Sequence, residues 1–146
     1  MDLIQFHCTR WAIVLATVVL EVCFLSCTHN SAPVPEAEYS TKIVGSWQGT
    51  VGDEKETVSI SGDGTFECQT HATGFIATTL SQGVTGTIRG TWKITGAIIL
   101  LNITGAKDER VRNRMASSTI VSFNEGMLVL KSDRGGTSSF HRVIPL

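Results

Sequence analysis

Small or apolar residues alternate with polar ones from Gly83 to Thr95. One row holds Val84, Gly86, Ile88, Gly90, Trp92 and Ile94, and the row between them is Thr, Arg or Lys throughout. A β-strand points successive side chains to opposite faces, so this pattern predicts a strand with one buried and one wet face. Lys42–Val51 repeats the pattern with an inner row of Ile43, Gly45, Trp47, Gly49 and Val51.

Turn residues divide the rest of the domain into further strands. Gly62-Asp63-Gly64, Gly96, Asn124-Glu125-Gly126 and Asp133–Gly136 each separate two alternating runs, as short hairpin connections do. The sequence therefore predicts eight strands in succession and no convincing amphipathic helix. Two longer loops are predicted at His71–Gln82 and Gly105–Arg114.

Eight sequential antiparallel strands leave two exposed edges unless the sheet closes on itself. Gly45, Gly49, Gly86 and Gly90 all lie in inward rows, and glycine suits sharply coiled strands where a side chain would collide with the opposite wall. We therefore predict an all-β fold, a single antiparallel up-and-down β-barrel of about eight strands. A β-sandwich is the alternative.

Gly45-Ser46-Trp47 on the first strand resembles the Gly-x-Trp signature of lipocalins. The resemblance implies that Trp47 closes one end of the barrel and that Arg142, on the last strand, packs across it. Gly90-Thr91-Trp92 resembles the pattern of small bacterial lipocalin-like lipoproteins. The chain departs from classical lipocalins because it is shorter and shows neither a helix after the barrel nor a disulfide. Its short turns also resemble avidin and small barrel inhibitors of bacterial peptidases and lysozymes.

The N-terminal region has an apolar core, Trp11–Leu20, and ends in Phe24-Leu25-Ser26-Cys27. This ending resembles the lipobox of bacterial lipoproteins, in which the cysteine carries the lipid. We therefore expect a signal peptide over residues 1–26 and a lipid such as palmitate on Cys27. An uncleaved anchor helix and a core helix are the alternatives. Glu21 interrupts the apolar run, which leaves it short of the ~20 apolar residues that a spanning helix needs.

Residues 27–41 contain Pro33 and Pro35 and lack apolar periodicity, which is typical of a flexible tether. Residues 42–146 form the predicted lipocalin-like barrel. We place the protein in the bacterial cell envelope, anchored to the membrane through Cys27 and facing the periplasm or the cell exterior. Without residues 1–26 the chain keeps eleven basic and eleven acidic residues, so nothing in its charge favours nucleic acid.

Four side chains are predicted to contact a ligand inside the barrel: Phe66, Ile88, Trp92 and Phe140. These side chains and the apolar rows would fill the barrel interior, whereas the inward glycines would leave space in it. The sequence leaves open whether the interior is filled or holds a ligand. Arg110, Arg112 and Arg114 would line one face of an extended loop and contact a headgroup, a polysaccharide or a protein. The apolar residues of Thr73–Gln82 would plug the barrel, cover a ligand or form a docking surface.

We predict no catalytic residues, no metal site and no cofactor. Gly-x-Ser-x-Gly does not occur, and the histidines show no ligand spacing for a metal. Cys68 falls on an inward row and is expected to act as a small apolar side chain. The predicted function is therefore binding of a small apolar or amphipathic ligand in the barrel, not catalysis. The alternative is an envelope interaction or inhibitor protein whose side-chain-filled barrel acts through its loops.

Overall fold

In the computed structural model, eight β-strands follow one another around a closed barrel. The structure describes residues 31–51, 54–71, 74–80 and 83–144, and every structural statement below concerns these residues. The predicted signal peptide and Cys27 lie outside them. The strands are β1 (Gly45–Val51), β2 (Glu54–Ile60), β3 (Thr65–Thr70), β4 (Gly86–Thr95), β5 (Ile98–Ala106), β6 (Met115–Phe123), β7 (Met127–Ser132) and β8 (Thr137–Val143).

Each strand pairs antiparallel with its neighbours in the sequence, and β1 pairs with β8 to close the barrel. Trp47 pairs with Val58 of β2 on one side and with Arg142 of β8 on the other. The prediction of a single eight-stranded up-and-down barrel is confirmed. Closure is favourable because it leaves no strand edge with unpaired backbone groups.

The alternation seen in the sequence matches the burial of the strands. On β4, Ile88 and Gly90 are buried while Arg89 and Thr91 are exposed, and β3 alternates without exception. The inward rows form one continuous apolar core inside the barrel. The strand limits differ at the predicted loop Gly105–Arg114, since β5 extends to Ala106 and β6 begins at Met115.

Gly49 and Gly90 are required by close contacts with neighbouring strands and not with the opposite wall, so the predicted reason is wrong for these two. A Cβ atom on Gly49 would come within 2.8 Å of the ring of Phe140, its partner on β8. A Cβ atom on Gly90 would overlap the carbonyl oxygen of Asn102, where a bulge in the β4–β5 pairing brings the two backbones together.

The predicted tether ends earlier than residue 41. A 3₁₀ turn, Glu36–Glu38, leads directly into a short helix, α1 (Tyr39–Lys42). Val34 is buried and donates its N–H to the carbonyl of Phe123, 2.8 Å away, and the ring of Tyr39 meets that of Phe123 edge-on. The flexible-tether prediction is therefore wrong from Val34 onward, because two apolar side chains gain burial against the barrel.

A second helix, α2 (Phe75–Leu80), lies within the predicted loop His71–Gln82. It connects β3 to β4, at the end of the barrel opposite to the β2–β3, β4–β5 and β6–β7 hairpins. The sequence predicts an apolar loop here, and that prediction is wrong for Phe75–Leu80. Six residues are too few to show a helical period, and helices of this length are not stable alone in water.

Candidate functional site

Arg142 and Trp47 meet at the end of the barrel where β1 begins and β8 ends. The Arg142 guanidinium carbon lies 4.2 Å from the centre of the Trp47 ring. The guanidinium also donates hydrogen bonds to the backbone carbonyls of Lys42, Val44 and Glu125. Gly45 has a φ of +138°, and a Cβ atom at this position would clash with the same guanidinium. We call this the closed end.

Trp47 itself is nearly fully buried, and its indole N–H donates to the carbonyl of Ile43 at 2.7 Å. Its ring packs edge-on against Phe123, with centroids 5.8 Å apart. The tryptophan therefore joins the cation outside the barrel to the apolar core inside it. Arg142 lies over the ring on the outer side and does not line the interior cavity.

The barrel interior contains an apolar cavity of only about 30 Å³. One water molecule fits such a space, whereas ligand pockets measure about 300–1,000 Å³. Its walls come from several strands and from α2: Trp47, Val58, Ile60, Phe75, Ile76, Ile99, Leu101, Ser118, Leu128, Leu130 and Phe140. The interior is therefore filled by side chains in this structure.

Only one of the four predicted ligand-contacting residues borders that cavity. Phe140 lines it, and its ring meets that of Phe75 edge-on at 5.8 Å. Phe66 and Ile88 are buried in the core away from the cavity. Trp92 is half-buried, and its indole N–H donates to the carbonyl of Ser61 at 2.9 Å, near the closed end.

Helix α2 fills the end of the barrel opposite to the closed end. Phe75, Ile76, Ala77 and Leu80 are all at most 4% exposed, so no outward face of these side chains meets water. Thr79 is also buried, and its hydroxyl donates to the carbonyl of Phe75. Because these apolar side chains are enclosed, the docking-surface interpretation of Thr73–Gln82 does not apply to them.

Glu56 is the charged side chain that lies buried next to α2, with 1% exposure. Its carboxyl group accepts hydrogen bonds from the Phe75 N–H and the Thr70 hydroxyl, each 2.8 Å away. The Ile76 N–H at 3.4 Å and the Cys68 thiol at 3.6 Å also donate to it. Gly74 lies so close that a Cβ atom there would come within 3.0 Å of Glu56.

Glu56 was not among the predicted site residues, although the alternation of β2 carries a signal for it. Glu56, Val58 and Ile60 share one row of β2, and Val58 and Ile60 are apolar core residues. A glutamate in an inward row is unusual, since glutamate is almost never fully buried without partners. Those partners come from β3 and α2, and neither is adjacent in the sequence.

Cys68 is buried on β3, as its row predicted. Burial raises the pKa of its thiol, and the nearby charge of Glu56 and the hydrogen bond to it raise the pKa further. A thiol held in its protonated form is a poor nucleophile. The arrangement therefore suits a structural side chain.

The predicted row of three arginines does not form, because residues 107–114 turn instead of extending. Val111 is fully buried and anchors the segment. The Arg110 guanidinium pairs with Asp108 at 2.6 Å, and that of Arg112 with Glu109 at 2.8 Å. Arg114 is exposed. A contact role for this loop stays a prediction.

In the described part of the chain, no group of three His, Cys, Asp or Glu side chains is placed to hold a metal ion. No helix in that part is long and apolar enough to cross a membrane.

No protein-family model and no curated protein sequence matches this chain. Among solved structures, the chain is similar to a lipocalin-like protein from Bacteroides uniformis. The two share 16% sequence identity over 70% of this chain and 99% of that chain, with a TM-score of 0.46. The topology of this chain is a closed barrel of eight meandering strands, with Trp47 and Arg142 across one end.

Proposed function

We propose that this protein binds a small apolar or amphipathic molecule inside its barrel, in the space that α2 fills. The observation that carries the proposal is that a short helix, and not the strands alone, fills the interior. All its described side chains are buried. A lipocalin-like barrel is suited to binding, and the proposal assigns it no catalytic step.

The volume of α2 matches that of a ligand. A helix of six residues is about 9 Å long and about 10 Å across, so it occupies about 700 Å³. Pockets for small molecules measure about 300–1,000 Å³. Displacement of α2 alone would therefore turn a cavity with room for one water molecule into one with room for a ligand.

The free energy that holds α2 in place is small. Burial of Phe75, Ile76 and Leu80 contributes about 5–9 kcal/mol. Ordering six backbone units costs about 6–12 kcal/mol. Because the two ranges overlap, the helix depends on the barrel walls and on its hydrogen bonds to Glu56. A ligand that supplies equivalent apolar contacts can replace it.

The proposal includes lipid anchoring through Cys27 in a bacterial envelope. It is supported by the apolar stretch Trp11–Leu20 and the Phe24–Cys27 ending. Metabolic labelling with palmitate tests this part, with Cys27→Ser as the matched variant. We expect label on the parent chain alone, and equal labelling of both chains would contradict the anchor.

Hydrogen exchange tests the exchange of α2 for a ligand. A neutral amphiphile such as dodecanol is added to the full chain, and amide protection is measured by mass spectrometry. We expect the Phe75–Leu80 amides to lose protection while the strand amides keep theirs. Unchanged protection of α2 with the amphiphile bound would show that the ligand lies elsewhere.

A pair of variants sharpens the test. Phe75→Ala weakens the packing of α2, whereas Phe123→Ala removes an equally buried ring at the closed end. We expect tighter dodecanol binding for Phe75→Ala alone, because less packing opposes displacement of the helix. Equal affinity of the two variants would contradict a competition between α2 and the ligand.

A second candidate function follows from the same small cavity. A filled barrel suits a protein that binds an envelope partner through its surface. Ile98, Met115 and Val121 are 45%, 66% and 57% exposed on the outer face of β5 and β6. Failure of every amphiphile to bind, together with full protection of α2, would favour this candidate.

A further inference from the structure

Glu56 places a charge against the helix that the proposed ligand would replace. Its carboxyl group lies on the inner row of β2, opposite Gly49 of β1. In each hydrogen bond described for it, the carboxyl group is the acceptor. The donors are one hydroxyl, one thiol and two amides. A group that only accepts is suited to the ionised carboxylate.

The four donors to Glu56 belong to two different parts of the molecule. Thr70 and Cys68 lie on β3 and stay in place as long as the barrel is intact. The amides of Phe75 and Ile76 lie at the start of α2. If α2 leaves the barrel, the carboxylate loses both amides and borders the vacated space.

Other buried groups in the described chain do not compensate for this loss. Apart from Glu56 and Thr70, the buried polar side chains of the described chain are the hydroxyls of Thr79, Ser118 and Ser132, and no Lys, Arg or His there is buried. A buried carboxylate without full pairing is costly. A purely apolar ligand would replace the packing contacts of α2. It would leave the Glu56 carboxylate without the two amide donors.

We infer that the molecule exchanging with α2 is an amphipathic amine, whose ammonium group donates to Glu56 in place of the Phe75 and Ile76 amides while its apolar part fills the barrel. This inference rests on the proposed function and adds the chemical class of the ligand. An ammonium group supplies up to three donors and a positive charge, so it pairs with a carboxylate more strongly than an amide does. An anionic headgroup in the same place would be repelled.

Three probes with the same apolar chain test this inference: dodecylamine, dodecanol and dodecanoate. Their affinities for the full chain are measured by titration calorimetry below micelle formation. We expect the amine to bind about tenfold more tightly than the alcohol, and the carboxylate to bind most weakly.

Glu56→Gln removes the charge and keeps the shape of the side chain. We expect it to lose the preference for the amine and to retain affinity for dodecanol. Thr70→Val is the matched control, because it removes a buried donor to the same carboxylate and leaves the charge in place. It should keep the preference for the amine. If Glu56→Gln does not fold, the ranking of the three probes by the parent chain decides by itself.

The outcomes separate this inference from the proposed function. Equal binding of all three probes, or a preference for the amine that survives in Glu56→Gln, would overturn the inference and leave binding in the barrel intact. Binding of none of the three by the parent chain would overturn both.

Discussion

Substitution of Arg142 tests how the closed end is held. Arg142→Ala removes the cation above Trp47 and three hydrogen bonds, those to the carbonyls of Lys42, Val44 and Glu125. A hydrogen bond from a charged donor contributes about 1.5–3 kcal/mol, and a cation–π contact about 0.5–2 kcal/mol. Arg142 is only half-buried and water replaces part of these contacts, so we expect a loss of about 2–4 kcal/mol.

Two further variants isolate the geometry of the guanidinium. Arg142→Lys keeps the charge, but one ammonium group cannot reach three carbonyls and cover the ring, so we expect about half of the loss. Arg89→Ala is the control for removing an arginine, since Arg89 pairs with Glu67 on the surface with both side chains more than half exposed. Such a pair contributes about 0–1 kcal/mol.

The assay is equilibrium unfolding in urea, followed by tryptophan fluorescence. The slope of the free energy of unfolding against urea should be the same for all four proteins, because the same surface is exposed on unfolding. If Arg142→Ala loses no more stability than Arg89→Ala, Arg142 does not hold the closed end and the argument from its contacts is refuted.

Cys68 and Asp63 provide two further predictions. Iodoacetamide at pH 8 should leave Cys68 unmodified in the folded chain and modify it in denaturant, as peptide mass spectrometry would report; modification in the folded chain at the rate of a free thiol would contradict its burial. Hydrogen bonds from the hydroxyl and the N–H of Thr65 lower the pKa of Asp63. Thr65→Val should raise this pKa toward its ordinary value of 3.8 in an NMR titration. The lowered pKa of Asp63 stabilises the folded parent chain at pH values above the pKa that Asp63 has in the unfolded chain. The difference in stability between the parent chain and Thr65→Val should therefore shrink as pH falls through the pKa of Asp63 in the folded chain. An unchanged Asp63 titration would show that the hydroxyl has no such effect.

The strand rows were predictable because their cause is local. Burial of Trp47, Cys68 and Phe140 follows from their place in an alternating row, and the rows are visible in the sequence. The barrel follows from the number of rows and their short connections. The closed end was predictable only through the resemblance, since Trp47 and Arg142 are far apart in the sequence.

Other features were not predictable because their causes are non-local. Phe75–Leu80 is too short to show a helical period, and it is helical because the barrel encloses it. The Arg110–Arg114 segment turns because Val111 is buried and the arginines find acidic partners within the loop. Val34 and Tyr39 join the barrel because Phe123 lies within reach.

The sequence by itself determined the eight strands and the face that most strand residues occupy, because backbone alternation and turn chemistry act between near neighbours. It favoured a closed barrel over a sandwich, and the pairing of β1 with β8 decided between them. The tertiary structure decided what fills that barrel. Interior volume depends on side chains from every wall at once, and the charge of Glu56 is acceptable only where α2 and β3 bring donors to it.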